Sequence, residues 1–286
     1  MSARMDHAPK IKGTFKDAAE EFLEINSETM SPTTRINYRS ILRNLPDAFL
    51  AAKMAEIDQI MIQRVINTYS KNRSPKTVKN ASGFISVVMK AYRPDMTIKV
   101  KLPQKKKVDT YIPTDDEVKM VLDAIKGSEY EPVILLCCLG LRKSEAIAVT
   151  AADIKGNILT IDSAKVVNED GKYREKTTKT ESSTRKIYLP DRLVKMIKDR
   201  GQAYTGFPGN ILRYLHRTQD RLGINRCKLH ALRHYYVSHA HEMGIPDAAI
   251  AASVGHVNTN TTRAIYLHAQ QDKQLAREKE AAKFLM

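Results

Sequence analysis

Ala252-Ser253-Val254-Gly255-His256-Val257-Asn258-Thr259-Asn260-Thr261-Thr262-Arg263-Ala264-Ile265-Tyr266-Leu267-His268 reads as two short helical runs hinged on a glycine. Gly255 closes a run over Asp247 to Val254, and His256 follows at once. The Asn/Thr turn then offers side-chain oxygens that cap the run carrying Tyr266. This arrangement can present one imidazole and one phenol to a shared cleft. A tyrosine oxygen is a weak nucleophile at neutral pH, with a pKa near ~10, unless neighbours take its proton and stabilise the developing charge. The chain must supply those helpers.

They stand upstream. In Leu229-His230-Ala231-Leu232-Arg233, His230 and Arg233 are three apart, so both side chains reach the same side of a helix start. Tyr235 and Tyr236 follow deeper in that helix, as rival hydroxyls that read as packing residues. Earlier, the apolar run from Pro132 to Leu139 breaks at Gly140-Leu141-Arg142-Lys143-Ser144-Glu145. Arg142 at such a junction is costly to bury unless it faces an anion, either a phosphate or the carboxylate of Glu145 one turn on. Between these segments lies Thr178-Lys179-Thr180, with Lys176 close by.

The order Arg142, Lys179, His230-x-x-Arg233, Gly255-His256, Tyr266 resembles the tyrosine recombinase (phage integrase) family across nearly the whole chain. The resemblance implies metal-free phosphoryl transfer on DNA. Arg142 and Arg233 would hold the nonbridging oxygens of a phosphodiester, Glu145 would orient the site, and His256 would add a donor. Tyr266 would attack to give a 3′-phosphotyrosyl link, with His230 as base and Lys179 as acid to the leaving oxygen; Lys176 is the rival for that last role. No cofactor is expected, and the chain shows no zinc spacing, Walker loop or paired carboxylates.

The totals agree with a polyanionic partner. The chain has 286 residues, with 47 Lys+Arg against 32 Asp+Glu and a formal net charge of +15. That length allows one large or two modest domains, and two fit the pattern better. No apolar run approaches the ~20 residues of a membrane span, which favours nucleic acid over membrane. Cys137, Cys138 and Cys227 form no CxxC and read as small core residues in a reducing cytosol.

In chain order, residues 1–13 read as a basic N-terminal arm. Residues 14–94 read as a helical DNA-binding domain of four helices, two of them opened by Ser31-Pro32 and Ser74-Pro75. Residues 1–110 carry 20 Lys/Arg against 11 Asp/Glu. Arg35, Arg39 and Arg43 recur at i, i+4, i+8, and Lys76 and Lys79 cluster at another helix start; such stripes neutralise phosphates or simply face water. Residues 95–113 read as a linker with the basic run Lys105-Lys106-Lys107. From Thr114, whose Thr-Asp-Asp-Glu is a capping box, the catalytic domain runs to residue 286. It is mainly helical, with a small antiparallel sheet over Asn157 to Leu189 whose turn is Glu169-Asp170-Gly171. The fold class is thus mainly α with a small antiparallel sheet, an α+β two-domain clamp on double-stranded DNA.

The resemblance further implies a homotetramer on two duplexes, joined through the C-terminal tail 267–286, and leaves room for an accessory DNA-bending or excisionase protein. Integrases of mobile elements often carry an extra N-terminal arm-binding domain. Here only residues 1–13 precede the first helix, so either the protein works without that domain or the chain is part of a longer one. The tail ends in Phe284-Leu285-Met286, apolar groups that either cap the domain's own core or dock on the next protomer. Integration or excision of a mobile element in a bacterial or phage setting, in the cytoplasm at the nucleoid, is the expectation. The alternatives are strand swivelling of the type IB topoisomerase kind and sequence-specific DNA binding without catalysis.

Overall fold

The structure, a computed structural model, describes residues 13–104, 111–167, 173–177, 184–256 and 258–267. Lys105, Lys106, Lys107, Glu169-Asp170-Gly171, Lys179 and the tail from His268 lie outside them. The chain divides into two compact units, Met1–Val108 with Val167–Lys172, and Asp109–Val166 with Tyr173–Met286.

The first unit is helical: α1 Phe15–Ile25, α2 Pro32–Leu42, α3 Asp47–Leu50, α4 Gln59–Ser70 and α5 Pro75–Tyr92. Local chemistry sets the starts. Thr14 and Asp17 exchange backbone and side-chain hydrogen bonds before α1, Ser31 and Ser74 cap helices with proline in the first turn, and Asp58 accepts from the Met61 amide at 2.6 Å. The short α3 is an addition to the four helices expected. α5 packs against α1, α2 and α4. It buries Val78, Ala81, Phe84, Ile85, Val88 and Met89, so its apolar stripe is the centre of the unit's core.

The expected linker begins as part of this unit. Met96, Ile98 and Val100 pack against its core, while Lys99 and Lys101 are exposed. Gln59 and Gln63, one turn apart on α4, bond the backbone there. Gln63 accepts from the Lys101 amide at 2.8 Å and donates to its carbonyl at 3.1 Å, and Gln59 bonds Lys99 the same way. The two carboxamides act as a substitute strand for an extended segment that lacks a neighbour.

The second unit contains α6 Asp115–Ala124, α7 Glu131–Cys138, α8 Lys143–Ala146, strands β1 Ile154–Lys155, β2 Ile158–Ile161, β3 Ser163–Val167, β4 Tyr173–Thr177 and β5 Arg185–Tyr188, then α9 Asp191–Arg200, α10 Gly209–Leu222, α11 Leu229–Glu242 and α12 Asp247–Val254. Residues 259–267 are helical again. The single sheet expected is two: an antiparallel β1-β2-β5 sheet with Leu159 opposite Ile187 and Ile161 opposite Arg185, and a separate β3-β4 pair. α7 is apolar on nearly every side and lies inside the core with Leu159, Leu189, Ile197 and Leu215. α11 packs on α7 and α12, and α12 on β5. That junction carries the site.

Candidate active site

Two glycines bring the pieces together. Gly140, with φ +91°, ends the α7 turn, and a Cβ there would meet Val254 at 2.8 Å and Tyr236 at 2.9 Å. Only a bare backbone lets α12 and α11 close on this turn. Gly255, with φ +69°, ends α12 in the left-handed conformation and lies on the Arg185 guanidinium, 3.2 Å from Nη1 to a built Cβ. Each glycine carbonyl receives an arginine: Arg233 Nη1 donates to Gly140 at 2.7 Å and Arg142 Nη2 to Gly255 at 2.8 Å.

Arg142 is the N-cap of α8, its side chain 43 % exposed. Its amide and its Nη1 donate to the two oxygens of Glu145, at 2.8 and 2.7 Å. The carboxylate is 4 % exposed and is shared with Arg185, which donates from Nη2 at 2.7 Å and Nη1 at 3.2 Å. Burial alone would raise the pKa of Glu145, but the bonds and charge of Arg185, helped by Arg142, hold it below its ordinary value. Arg233 on α11 is 1 % exposed, and its Nε has no partner. Burial, reinforced by the charge of Arg142, pulls its pKa down to about 9, which leaves it a cation at neutral pH. Three guanidiniums thus crowd one carboxylate, and an anion would relieve the excess.

Two imidazoles border this charge. His230 opens α11 at the exposed rim and meets His234 edge to face, ring centres 4.5 Å apart. The protein around it, then Arg233 and Arg142, lower its pKa. His256 follows Gly255, and burial first, then Arg233 and Arg142, push its pKa to about 4. At neutral pH it is uncharged. Its Nδ1 lies 2.8 Å from the Thr262 hydroxyl, which is fully buried. With that hydroxyl as donor to Nδ1, Nε2 keeps its proton and can donate to an oxygen in the cleft.

Tyr266 lies in the 259–267 helix. Its ring stacks on His241, centroids 3.5 Å apart and planes within 14°. His241 Nε2 lies 3.2 Å from Asp247 Oδ1. His241 is near the end of α11 and His230 near its start, roughly 16 Å along the axis at 1.5 Å per residue. In this arrangement the phenol is out of reach of His230. Tyr235, by contrast, hydrogen-bonds Asp115 and stacks on His239, and Tyr236 packs beside Gly140 against Val237 and Val254.

Arg185 falls inside the Asn157–Leu189 stretch that the sequence assigns to the sheet, with no site role of its own. The signal it carries is the alternation Arg185-x-Ile187-x-Leu189: period two puts a guanidinium on the face of two buried residues, where it needs a carboxylate. In the first unit, Arg35 donates to the Ser27 carbonyl at 2.8 Å, while Arg39 and Arg43 line a groove with Glu20 and Glu24. Lys76 and Lys79 are exposed on the first turn and a half of α5. Lys176 lies on β4. Among the described residues, Asp115, His239 and Glu242 bring one potential metal-ligand atom each within 4.8 Å of one another. Asp115 already meets His239 at 3.3 Å and the Tyr235 hydroxyl, at a distance along α11 from His230 and Arg233.

Residues 112–273 match the Phage integrase family, and residues 14–70 match the Phage integrase, N-terminal SAM-like domain. The chain belongs to the phage integrase family. Relatives within it include a "Tyrosine recombinase XerC-like" of Caldanaerobacter subterraneus subsp. tengcongensis, 26 % identical over 86 % of this chain and 76 % of the relative. The "Integrase" of Staphylococcus phage L54a is 26 % identical over 93 % of this chain and 92 % of its own. The fold is shared with the Tn1549 transposon integrase solved with transposon right end DNA, at TM-score 0.72 and 17 % identity over 94 % of this chain and 99 % of that one. A lambda integrase tetramer bound to a Holliday junction matches at TM-score 0.63 and 20 % identity, over 86 % and 77 %. As a phage integrase family member the chain is a tyrosine recombinase, which cuts and rejoins DNA in site-specific recombination. No helix among its described residues is long and apolar enough to cross a membrane.

Proposed function

We propose that the junction of α8, α11 and α12 binds the scissile phosphate and that Tyr266 is the nucleophile. The observation that carries this is the preformed cluster of Arg142, held on the Glu145 carboxylate, with Arg233 and His256 beside it and His230 at its rim. Arg142 and Arg233 hold the nonbridging oxygens, which a guanidinium fork suits better than an ammonium. His256 donates from Nε2. As the Tyr266 oxygen bonds to phosphorus, its proton passes to His230, which is neutral and so able to accept it. The bond to the 5′-oxygen breaks, and Lys179, or Lys176 in its place, protonates the leaving group. A 5′-hydroxyl of another strand reverses the step, and the conserved phosphodiester energy makes ATP unnecessary.

For this attack Tyr266 leaves His241, so helix 259–267 moves between a stacked and a delivered position. Assembly on DNA is the event that selects the second. The working form is a homotetramer on two duplexes, with the tail 267–286 reaching the next protomer. Arg39, Arg43, Lys76, Lys79 and the run Lys105–Lys107 ground the first unit on phosphates, an accessory DNA-bending or excisionase protein directs the outcome, and the enzyme works in the cytoplasm at the nucleoid.

The test is covalent capture on a nicked suicide substrate. Wild type forms a protein–DNA adduct at Tyr266, while Tyr266→Phe binds the site within a few fold and forms none. An adduct retained by the variant reassigns the nucleophile to Tyr235 or Tyr236. Relaxation of plasmid lacking the site would instead make the protein a topoisomerase.

A further inference from the structure

Arg185 makes the most contacts of the guanidiniums at the junction and is 8 % exposed. Nη2 and Nη1 fork onto Glu145 at 2.7 and 3.2 Å, and Nε donates to the Ser253 carbonyl at 2.7 Å. Glu145 holds Arg142 through its amide and Nη1, and Arg142 Nη2 holds the Gly255 carbonyl. The bonds close a ring: Arg185, Glu145, Arg142, Gly255, and back through Ser253. This ring ties the start of β5 to the start of α8 and to the last turn of α12, from which His256 issues.

We propose that Arg185 is a positioning residue for recombination, setting Arg142 and His256 at the spacing a phosphate needs without touching the phosphate itself. The proposal rests on Arg142 and His256 being phosphate ligands. Each of the three Arg185 nitrogens is already committed to a protein oxygen, whereas the buried Arg233 keeps its Nε without a partner. Arg185 is therefore a poor direct ligand and a good brace. A lysine keeps the charge but has one nitrogen, which cannot span a carboxylate and a carbonyl in fixed directions. A brace for Arg142 and His256 affects the rate at saturating DNA, whereas a remote salt bridge affects stability alone.

The experiment compares wild type, Arg185→Lys and Arg185→Gln on a nicked site, at a temperature where circular dichroism shows each fully folded. Site affinity should stay within about 3-fold, while single-turnover adduct formation at saturating DNA falls ~10- to 100-fold, since small misplacements of a positioning group cost that much. Because Arg185 works through Arg142, the loss in the Arg142→Lys, Arg185→Lys double variant should fall clearly short of the product of the single losses. Adduct formation within about 2-fold of wild type, or fully multiplicative losses, overturns the proposal. Loss of fold in both variants at every temperature makes Arg185 a core residue and overturns it as well. If wild type forms no Tyr266 adduct, the functional reading falls and takes this proposal with it; an intact wild-type adduct with unaffected variants sinks the Arg185 role alone.

Discussion

Replacing Glu145 by Gln exchanges one buried carboxylate oxygen for an amide nitrogen and keeps the shape. The carboxylate accepts from the Arg142 amide and Nη1 and from Arg185 Nη1 and Nη2. With a glutamine side chain in its place, one of those positions turns a donor toward a donor, and the guanidiniums of Arg142, Arg185 and Arg233 lose their shared counter-charge. The Arg185 pair, 8 % and 4 % exposed, carries the penalty of a broken buried ion pair, about 3–5 kcal/mol. The Arg142 pair adds at most ~1 kcal/mol, since that side chain is 43 % exposed and screened by water. At roughly 2–4 °C per kcal/mol for a unit of this size, the melting transition of the second unit drops by about 6–24 °C, while that of the first unit holds. The pH dependence separates this cause from a packing defect. Glu145 has a folded pKa below its ordinary 4.5, so its stabilisation is complete above that value and is lost as pH falls through the lower folded one. The calorimetric gap between wild type and Glu145→Gln should therefore be flat from about pH 5 to 8 and narrow as pH falls below the ordinary value of 4.5. A gap under ~1 kcal/mol at neutral pH, or one that persists unchanged in acid, would refute the shared-carboxylate account.

Two more outcomes follow from the geometry and a third from the charge pattern of the sequence. Gly140→Ala combines a left-handed φ with Cβ contacts at 2.8 and 2.9 Å, so it should destabilise by about 2–5 kcal/mol in urea unfolding; a loss below ~1 kcal/mol would mean that α12 can move away freely. His241→Ala removes a ring stack of about 0.5–1.5 kcal/mol and should speed adduct formation at Tyr266 by ~2- to 10-fold on a single nicked site; an unchanged or slower rate would show that the stack does not hold the nucleophile back. Changing Lys105, Lys106 and Lys107 together to Ala should flatten the log–log salt dependence of DNA binding by ~1 to 3 units, and an unchanged slope would turn that run toward bulk solvent.

Most of the architecture follows from local rules. Thr14-Asp17 and Thr114-Glu117 are reciprocal caps, and Ser31-Pro32 and Ser74-Pro75 open helices, because those bonds close within one turn. Gly140 and Gly255 end helices where the apolar runs stop. The order of Arg142, His230, Arg233, His256 and Tyr266 identifies the family, and the first four lie near one another at the junction of α8, α11 and α12. Other features rest on residues far apart in sequence. Gln59 and Gln63 hold Lys99 and Lys101 across 40 and 38 residues, so a stretch of linker composition becomes part of a folded unit. Arg185 reaches Glu145 across 40 residues and Ser253 across 68. Alternation could put that guanidinium indoors, but only the packing of β5 against α12 could choose its partners. The location of Tyr266 is of the same kind: helix periodicity supplies the helix, while the stack on His241 depends on how α11 and the 259–267 stretch meet. Local hydrogen bonds and periodicity are encoded within a few residues and are legible there; the pairing of buried charges and the docking of the Tyr266 ring on His241 are decided by which surfaces the folded chain brings together.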